Sequence, residues 1–162
     1  PFHHRDPGLV GAAFRLRDVY GEVICDGNHS NINSLNNYFM SNGRDYAIMI
    51  SDSLMAKGCP VGSKFLFGGN EIEVYPDGSA HLTSTKGLAG STLRINRGLE
   101  ILLEKAGVPF DYAINSCTLN PARALGVDDR KGKICTGYDA DIVVLNNDYD
   151  VVQTYARGVA CK

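Results

Sequence analysis

The residue best placed to do chemistry in this sequence is Asp52, which follows a continuous apolar run. In YAIMISDS, residues 46–53, four apolar residues run without alternation before the chain becomes acidic. Such a run is typical of a strand buried on both faces of a parallel sheet. A carboxylate at the end of that strand can act as a general base or bind a metal, and it can equally cap loop amides.

A second polar cluster follows the β-rich run VYGEVIC, residues 19–25. Its first residues, Asp26 and Gly27, predict a turn, and Asn28 and His29 come directly after it. A histidine at such a turn can take part in binding or proton transfer, although a single histidine is more often structural or simply exposed.

Two further motifs contain binding groups. Arg5 stands in HHRDPG beside a Pro-Gly turn, where its guanidinium suits an anion such as phosphate or pairs with a surface acid. The adjacent His3 and His4 would point in different directions and lack a third ligand at suitable spacing, which argues against a metal site. The loop GLAGS, residues 87–91, has small residues and backbone N–H groups that can wrap a substrate or hold an anion.

The predicted elements bring the first two clusters together. Residues 19–25 and 46–51 predict two strands, and the helical spacing of the apolar residues between them predicts a crossover helix. This βαβ unit implies parallel strands, whose carboxyl ends form the usual ligand-binding edge. Asp52 and His29 should therefore share one edge, and this pairing favours a functional role for the histidine.

The remaining chain predicts other kinds of element. Alternating residues and Gly or Pro-Asp-Gly turns between 62 and 83 predict antiparallel hairpins. Helices are predicted over 95–106 and 110–118, and a third should open at Asn120-Pro121, with Asn120 as its N-cap. The runs 142–145 and 151–155 predict two C-terminal strands.

Composition excludes several classes of protein. The chain of 162 residues is 44% hydrophobic and 21% charged, with a net charge of −2, as a globular domain would be. Its Lys and Arg residues form no basic stripe, which argues against nucleic acid and membrane partners. The five dispersed cysteines predict free thiols buried in a core and a reducing, cytoplasmic location. The polar start at Pro1 predicts no signal peptide and a fragment of a longer protein.

Several motifs together resemble one family. The sequence is similar to the N-acetylglucosamine-6-phosphate deacetylases of the amidohydrolase superfamily in the segments PFHHRDPGLVGA, ICDGNH, ISDS, KGLAGSTL and NPARALGVDDRKGKICTGYDADIVVL. The resemblance covers essentially the whole chain and keeps the order of the motifs. It implies an α/β fold in which residues 1–130 form the C-terminal part of a (β/α)₈ barrel, with a β-hairpin insertion near 62–83. Residues 131–162 would then supply strands of a small β-sandwich domain.

The resemblance also implies an activity and a set of roles. The family removes the N-acetyl group of N-acetylglucosamine 6-phosphate with the help of a divalent metal, Zn or Fe. Asp52 matches its acidic residue, which takes a proton from the metal-bound water and delivers one to the leaving amine. The residues that match substrate-binding positions are Arg5, which in some members reaches across a homodimer interface, and Asp26, Gly27, Asn28, His29, Leu88, Ala89 and Gly90.

One departure from the family limits what this chain can do alone. The family's metal ligands, a Glu and two His, belong to motifs that precede the first residue of this sequence, so we expect the isolated chain to be inactive. Two alternatives stay open. The parent could be another amidohydrolase, such as a dihydroorotase-like or allantoinase-like cyclic amidase, for which Arg5 and the D-G-x-H loop would have no purpose. The chain could also be a non-catalytic module that binds a partner through an exposed sheet edge.

Overall fold

The structure of the protein is a computed structural model that describes residues 3–161. It is an α/β fold with three small sheets, which confirms the expected class. The helices are α1 (Gly8–Arg15), α2 (Ile32–Tyr46), α3 (Ile95–Glu100), α4 (Phe110–Cys117) and α5 (Leu119–Ala124). The strands are β1 (Gly21–Ile24), β2 (Ala47–Ile50), β3 (Lys64–Phe67), β4 (Asn70–Val74), β5 (Ala80–Leu82), β6 (Ile142–Leu145), β7 (Val151–Ala156) and β8 (Val159–Ala160).

The predicted βαβ unit is confirmed. Strands β1 and β2 pair in parallel, with Gly21 opposite Ala47 and Ile24 opposite Ile50, and α2 is the crossover between them. The side chain of Asn31 caps α2 by accepting a hydrogen bond from the backbone N–H of Asn33 at 3.0 Å. The helix kinks at Gly43, whose φ of 69° suits a residue without a Cβ atom. The carboxyl ends of both strands therefore lie at one edge.

The main core lies between this parallel pair and the helices. Leu35 and Phe39 of α2 are fully buried against Leu102 and Ala113 from the segments that follow α3. Helix α3 approaches β2 closely, since a Cβ atom on Gly98 would lie 2.5 Å from the sulfur of Met49. The core thus holds β2, and with it the strand end that leads to Asp52.

Two predicted helices differ in detail from the observed ones. The helix expected over 95–106 changes after Glu100 into a π-helical turn, Ile101–Lys105. Helix α5 begins at Leu119, so the prediction that Asn120 is an N-cap was wrong. The Asn120 side chain is fully buried instead, and its amide donates to the carbonyl oxygens of Arg44 at 2.9 Å and Ala47 at 2.8 Å. These bonds tie α5 to the start of β2.

The predicted hairpins form a separate antiparallel sheet in the order β3-β4-β5. Gly68 and Gly69, with φ of 57° and 80°, make the tight turn between β3 and β4. Ile72 and Val74 point from β4 into a second core with Ala56 and Ala89. This core attaches the sheet to the loop 86–91, the stretch that contains the glycine-rich motif.

The C-terminal strands β6, β7 and β8 form an antiparallel sheet that confirms the two predicted runs and adds a short third strand. Val144 and Val152 are more than a third exposed on this sheet. The division of the chain into barrel and β-sandwich parts remains a prediction, because parallel pairing of the strands named for residues 3–161 is confined to β1 with β2.

The cysteines are free, as expected, but their burial was predicted incorrectly in part. Cys25 is fully buried after β1, and Cys117 is partly buried at the end of α4, where burial raises the pKa of its thiol to about 11. Cys135 and Cys161 are exposed, because they lie in the loop before β6 and after β8 rather than in the helical core.

Candidate functional site

The site begins where β1 and β2 end. Ile24 and Ile50 are opposite each other in the parallel register. Asp26 and Asp52 follow them by the same two positions, so two carboxylate residues leave adjacent strands at equivalent points. This arrangement comes directly from the βαβ connection, since its strands must run in the same direction.

Asp26 organises the loop that follows β1. One carboxylate oxygen, Oδ1, accepts hydrogen bonds from the backbone N–H groups of Asn28 and His29, both at 2.9 Å. The other, Oδ2, lies 2.7 Å from Nδ1 of His29. The Asp26 side chain is only 11% exposed and that of His29 22% exposed. Because a carboxylate can only accept, Nδ1 of His29 must carry a proton, and Nε2 is left for a ligand.

Gly27 allows this loop to turn back on itself. Its φ is 78°, in the left-handed region, where a side chain would be strained. The turn places the N–H groups of the next two residues over the Asp26 carboxylate. Gly27 therefore shapes the loop, although it does not line the cleft described below.

Asp52 has a fixed backbone and an uncommitted side chain. Its φ of 46° is left-handed, a conformation that Asp adopts more readily than most residues. The backbone on either side is held by Ser91, whose N–H donates to the Asp52 carbonyl and whose carbonyl accepts from Leu54, both at 2.8 Å. The Asp52 carboxylate is exposed and makes no hydrogen bond or ion pair within residues 3–161. It therefore does not cap the loop amides.

A cleft of about 360 Å³ opens beside the strand ends. Four of the residues expected to bind substrate line it, namely Asp26, Asn28, His29 and Gly90. Asp52 does not line this cleft but is bonded to Ser91, which does.

The other predicted binding residues lie outside the cleft. Ala89 is buried in the core under the hairpin sheet, and Leu88 forms an isolated antiparallel bridge with His81. Arg5 is exposed near the N-terminus, and its guanidinium has no partner in the described part of the chain. Arg5 thus does not form the surface ion pair considered from the sequence, and the structure does not bring it to this cleft.

Sequence reasoning missed the opposite wall of the cleft. This wall contains Asp77, Ser79, Thr92 and Arg94, which lie with Ser91 of the predicted glycine-rich loop. Asp77 was interpreted only as part of a turn, and a hydrogen bond from the hydroxyl of Thr92 to the carbonyl of Gly78 joins the turn to the loop that follows the glycine motif. Only the position of Arg94 directly after GLAGSTL could have signalled this wall.

The two arginines of the cleft differ in their partners. Arg97 is bonded to Glu100 at 2.9 Å, to the carbonyl of Asp148 at 2.7 Å and to the carboxylate of Asp150. The hydrogen bond to Glu100 and the nearby acids raise the pKa of Arg97. Arg94 is exposed and has no such partner among residues 3–161. Its guanidinium is therefore available to an anion.

The described residues do not form a metal centre. No group of three or more His, Cys, Asp or Glu side chains within 3–161 is arranged to hold a metal ion. The Asp26 carboxylate and Nδ1 of His29 are already bonded to each other, which leaves few donors at the strand ends. In the same part of the chain, no helix is both long and apolar enough to cross a membrane.

Comparison with known proteins decides the family. The model of the amidohydrolase family matches residues 62–161. A putative N-acetylgalactosamine-6-phosphate deacetylase of Escherichia coli K12 is 33% identical over 156 residues, which cover 96% of this chain and 91% of that protein. The chain belongs to the amidohydrolase family. Amidohydrolases of this kind are generally metal-dependent.

Several deacetylases of the family are similar over nearly the full chain. The N-acetylglucosamine-6-phosphate deacetylase of Bacillus subtilis is 37% identical over 158 residues, covering 98% of this chain and 39% of the relative. The solved Mycobacterium smegmatis enzyme, in a complex with N-acetyl-D-glucosamine-6-phosphate, superposes with a TM-score of 0.90 at 28% identity, over 99% of this chain and 42% of that one. This amidohydrolase chain thus spans about two fifths of the length of these relatives, and the resemblance inferred from its motifs is confirmed.

Proposed function

We propose that this amidohydrolase acts, as part of a longer polypeptide, in the hydrolysis of N-acetylglucosamine 6-phosphate to glucosamine 6-phosphate and acetate. The observation that carries the proposal is the edge shared by β1 and β2. Asp26 orients His29 at the end of β1, and Asp52 follows the end of the adjacent strand β2. The substrate class is taken from the deacetylases that this chain resembles, among them the Bacillus subtilis enzyme at 37% identity.

Asp52 is the proposed general base and acid. Water attacks the amide carbonyl carbon while Asp52 accepts one of its protons, and the same proton then passes to the leaving nitrogen as the C–N bond breaks. A carboxylate suits this proton transfer only if it is not already held by hydrogen bonds or ion pairs to other groups. The lack of any partner for the Asp52 side chain within residues 3–161 supports the role.

The loop after β1 is the proposed binding site for the sugar. Asp26, Gly27 and Asn28 hold the turn, and His29 presents Nε2 to a sugar hydroxyl or the amide. Of the loop residues Leu88, Ala89 and Gly90, Gly90 lines the cleft and Ala89 anchors the loop in the core beneath the hairpin sheet. The glycine loop thus acts mainly through its shape.

Two arginines are candidates for the phosphate group. Arg5 matches the family position and is proposed to reach the cleft of a second subunit in a homodimer, since it does not line the cleft of its own chain. Arg94 lines the cleft of its own chain and has no side-chain partner among residues 3–161. Both can form the charge-assisted hydrogen bonds that bind phosphate.

The reaction needs groups that the described residues do not offer. The family's divalent ion, Zn or Fe, would make water more nucleophilic and polarise the carbonyl. No suitable set of ligands occurs within residues 3–161, so we propose that the ligands come from outside this sequence and that the 162-residue chain alone is inactive. The parent would then be a cytoplasmic enzyme with a (β/α)₈ barrel and a small β-sandwich domain.

N-acetylgalactosamine 6-phosphate is a second candidate substrate. Relatives from two Escherichia coli strains, each 33% identical over 156 residues, are named as deacetylases of that sugar, one of them putatively. The two sugars differ only in the orientation of one hydroxyl group, so the same carboxylate chemistry serves both. The choice between them rests on hydrogen bonds from the cleft wall.

The proposal is tested with a chimera in which this chain replaces the matching segment of the Bacillus subtilis enzyme. We expect a folded chimera to release acetate from N-acetylglucosamine 6-phosphate when a divalent metal is present. N-acetylgalactosamine 6-phosphate is assayed in parallel, with dihydroorotate and allantoin as cyclic amide controls. Turnover of a cyclic amide instead of the acetylated sugars would overturn the proposal.

A further inference from the structure

The hairpin sheet carries a chain of three hydrogen bonds that the proposed reaction does not use. The hydroxyl of Ser79 lies 2.6 Å from Oδ1 of Asp77 and 2.8 Å from Nε2 of His81. On the other side of the imidazole, Nδ1 of His81 lies 2.8 Å from the carbonyl oxygen of Lys86. One chain of contacts therefore runs from a carboxylate through Ser79 and His81 to a backbone carbonyl.

The protons available to these three hydrogen bonds can be counted. Both ends, the Asp77 carboxylate and the Lys86 carbonyl, only accept hydrogen bonds. Three hydrogen bonds need three protons, of which the Ser79 hydroxyl supplies one and a neutral imidazole supplies one. The bond from Ser79 lowers the pKa of Asp77, so its carboxyl does not supply the third at neutral pH. The geometry is complete only when both nitrogens of His81 carry protons.

The same count of protons argues against Ser79 as a catalytic nucleophile. In a catalytic serine the hydroxyl proton points to the histidine, which acts as a base. Here the proton is needed for the 2.6 Å contact with Asp77, and Ser79 is only 6% exposed. Ser79 is a bridge between the His81 ring and the Asp77 carboxylate.

The surroundings of His81 suit a cation. The ring of Tyr75 stacks on it, with centroids 4.2 Å apart, and Glu73 is its partner across the strand pair. Asp77 adds a negative charge through Ser79. The opposing group is the ammonium of Lys86, which lies 6.0 Å from the centre of the Tyr75 ring. Two acids and an aromatic face thus favour a positive charge on His81, and one exposed lysine disfavours it.

This chain of contacts joins two segments of the cleft. Asp77 and Ser79 line its wall, and Lys86 begins the loop that leads to Gly90. Backbone bonds from Lys86 to Leu82 and from Leu82 to Gly87, both at 2.9 Å, seat the same loop on β5. His81 is the side chain that links loop and wall.

We propose that His81 is a positioning residue that holds the cleft in its binding form through Ser79 and Lys86 when both its ring nitrogens are protonated. Loss of one proton leaves two protons for three bonds, so either the Asp77–Ser79 contact or the bond to Lys86 opens. The cleft then binds the anionic sugar phosphate less tightly as the pH rises. This inference rests on the proposed function for its ligand, but the state of His81 can be measured without one.

The first test is ¹⁵N NMR of the histidine rings in the 162-residue chain at neutral pH. We expect both ring nitrogens of His81 to carry protons, as the three contacts require. In Ser79→Ala, which removes the bridge but keeps a small side chain, Nε2 of His81 loses its hydrogen-bond partner and should no longer be held protonated. A neutral His81 that accepts a proton from Ser79 in the unaltered chain would overturn the inference, whatever the protein binds.

The second test separates the two bonds of the ring. In His81→Asn the amide can still donate to Lys86 but cannot reach Ser79, whereas His81→Gln can donate to Ser79 only. Titration of the chimera with N-acetylglucosamine 6-phosphate between pH 6 and 9 should show about tenfold weaker binding at the upper end. Both variants should lose this pH dependence and show a raised KM with little change in kcat. Variants that keep the pH dependence of the unaltered chain would contradict a positioning role for His81.

Discussion

Asp26 and Asp52 each lie two residues beyond a paired isoleucine, Ile24 or Ile50, yet their carboxylates have opposite surroundings. Asp26 accepts two backbone N–H groups and binds the ring of His29. Asp52 makes no side-chain bond within residues 3–161. Equivalent positions on neighbouring strands thus supply one carboxylate that holds the loop after β1 and one whose side chain has no partner among residues 3–161.

The Asp26→Asn variant should weaken substrate binding by reversing the tautomer of His29. The Asn oxygen can still accept from the backbone N–H groups, but its amide would donate to Nδ1, so the proton of a neutral imidazole moves to Nε2. Loss of a charge-assisted bond predicts about tenfold weaker binding of N-acetylglucosamine 6-phosphate. Calorimetry of the chimera measures the affinity, and ¹⁵N NMR the tautomer. Asp18→Asn, an exposed site, is the control; equal affinity for both variants would refute this role of Asp26.

Variants of the two candidate arginines should differ in their affinity for the sugar with and without its phosphate group. Arg94→Gln should weaken binding of N-acetylglucosamine 6-phosphate but leave that of N-acetylglucosamine unchanged, because only the former carries the anion. Arg5→Gln should do the same only under conditions in which the chimera is a dimer. Calorimetry with both sugars, combined with light scattering, measures these effects. If neither variant discriminates between the sugars, the phosphate is bound elsewhere.

Substitution by alanine should destabilise the protein far more at Gly132 than at Gly137. Both have left-handed φ values, 88° and 90°, so alanine at either position costs about 1–2 kcal/mol in backbone strain. At Gly132 a Cβ atom would also lie 2.9 Å from the Cα atom of Leu119 and from the carbonyl of Thr118. At Gly137, no atom of the described residues other than the two chain neighbours lies within 4 Å of the corresponding position. Urea denaturation should therefore show a larger loss of stability for Gly132→Ala, and equal losses would mean that the segment shifts freely.

The acids Asp139 and Asp141 should make stability depend on pH in the acid range. Hydrogen bonds from Arg130 and Lys131 lower the pKa of Asp139, and bonds from Lys131 and the backbone of Arg157 lower that of Asp141, in both cases from the ordinary value of 3.8. A lowered folded-state pKa stabilises the fold above that ordinary value, and this contribution is lost as the pH falls through the lowered pKa.

Asp139→Asn tests this pH dependence against the unaltered chain. The variant should be less stable at pH 6, and the difference in the free energy of unfolding should shrink steadily below about pH 4. Because Asp139 is half-buried and its partner Arg130 is exposed, the effect should be small and should weaken with added salt. Urea denaturation at several pH values measures it. A difference that stays constant down to pH 2 would show that the variant acts through something other than charge.

The sequence predicted what local patterns determine. The apolar run before Asp52 and the helical spacing after Asn31 were sufficient for the parallel pair and its crossover, and hence for the shared edge of Asp52 and His29. The Gly and Pro-Asp-Gly turns were sufficient for the hairpin sheet. These features depend on residues within one or two elements.

The features that sequence reasoning missed depend on distant partners. Asn120 is buried because the carbonyl groups of Arg44 and Ala47, more than seventy positions earlier, accept its amide hydrogens. The wall formed by Asp77 and Thr92 is visible only after the hairpin folds back on the glycine loop. No local spacing reports such contacts, so Asn120 looked like a helix cap and Asp77 like an ordinary turn residue.

The central claim is that Asp52 transfers the proton, and the rate of acetate release tests it most directly. The chimera is assayed with Asp52 and with Asp52→Asn, and its affinity for N-acetylglucosamine 6-phosphate is measured in parallel. We predict that the Asn variant binds the substrate as well as the unaltered chimera but reacts about 10²–10⁴-fold more slowly, as expected when a general acid-base residue is removed. An Asn variant that releases acetate at an undiminished rate would show that Asp52 is not the proton carrier.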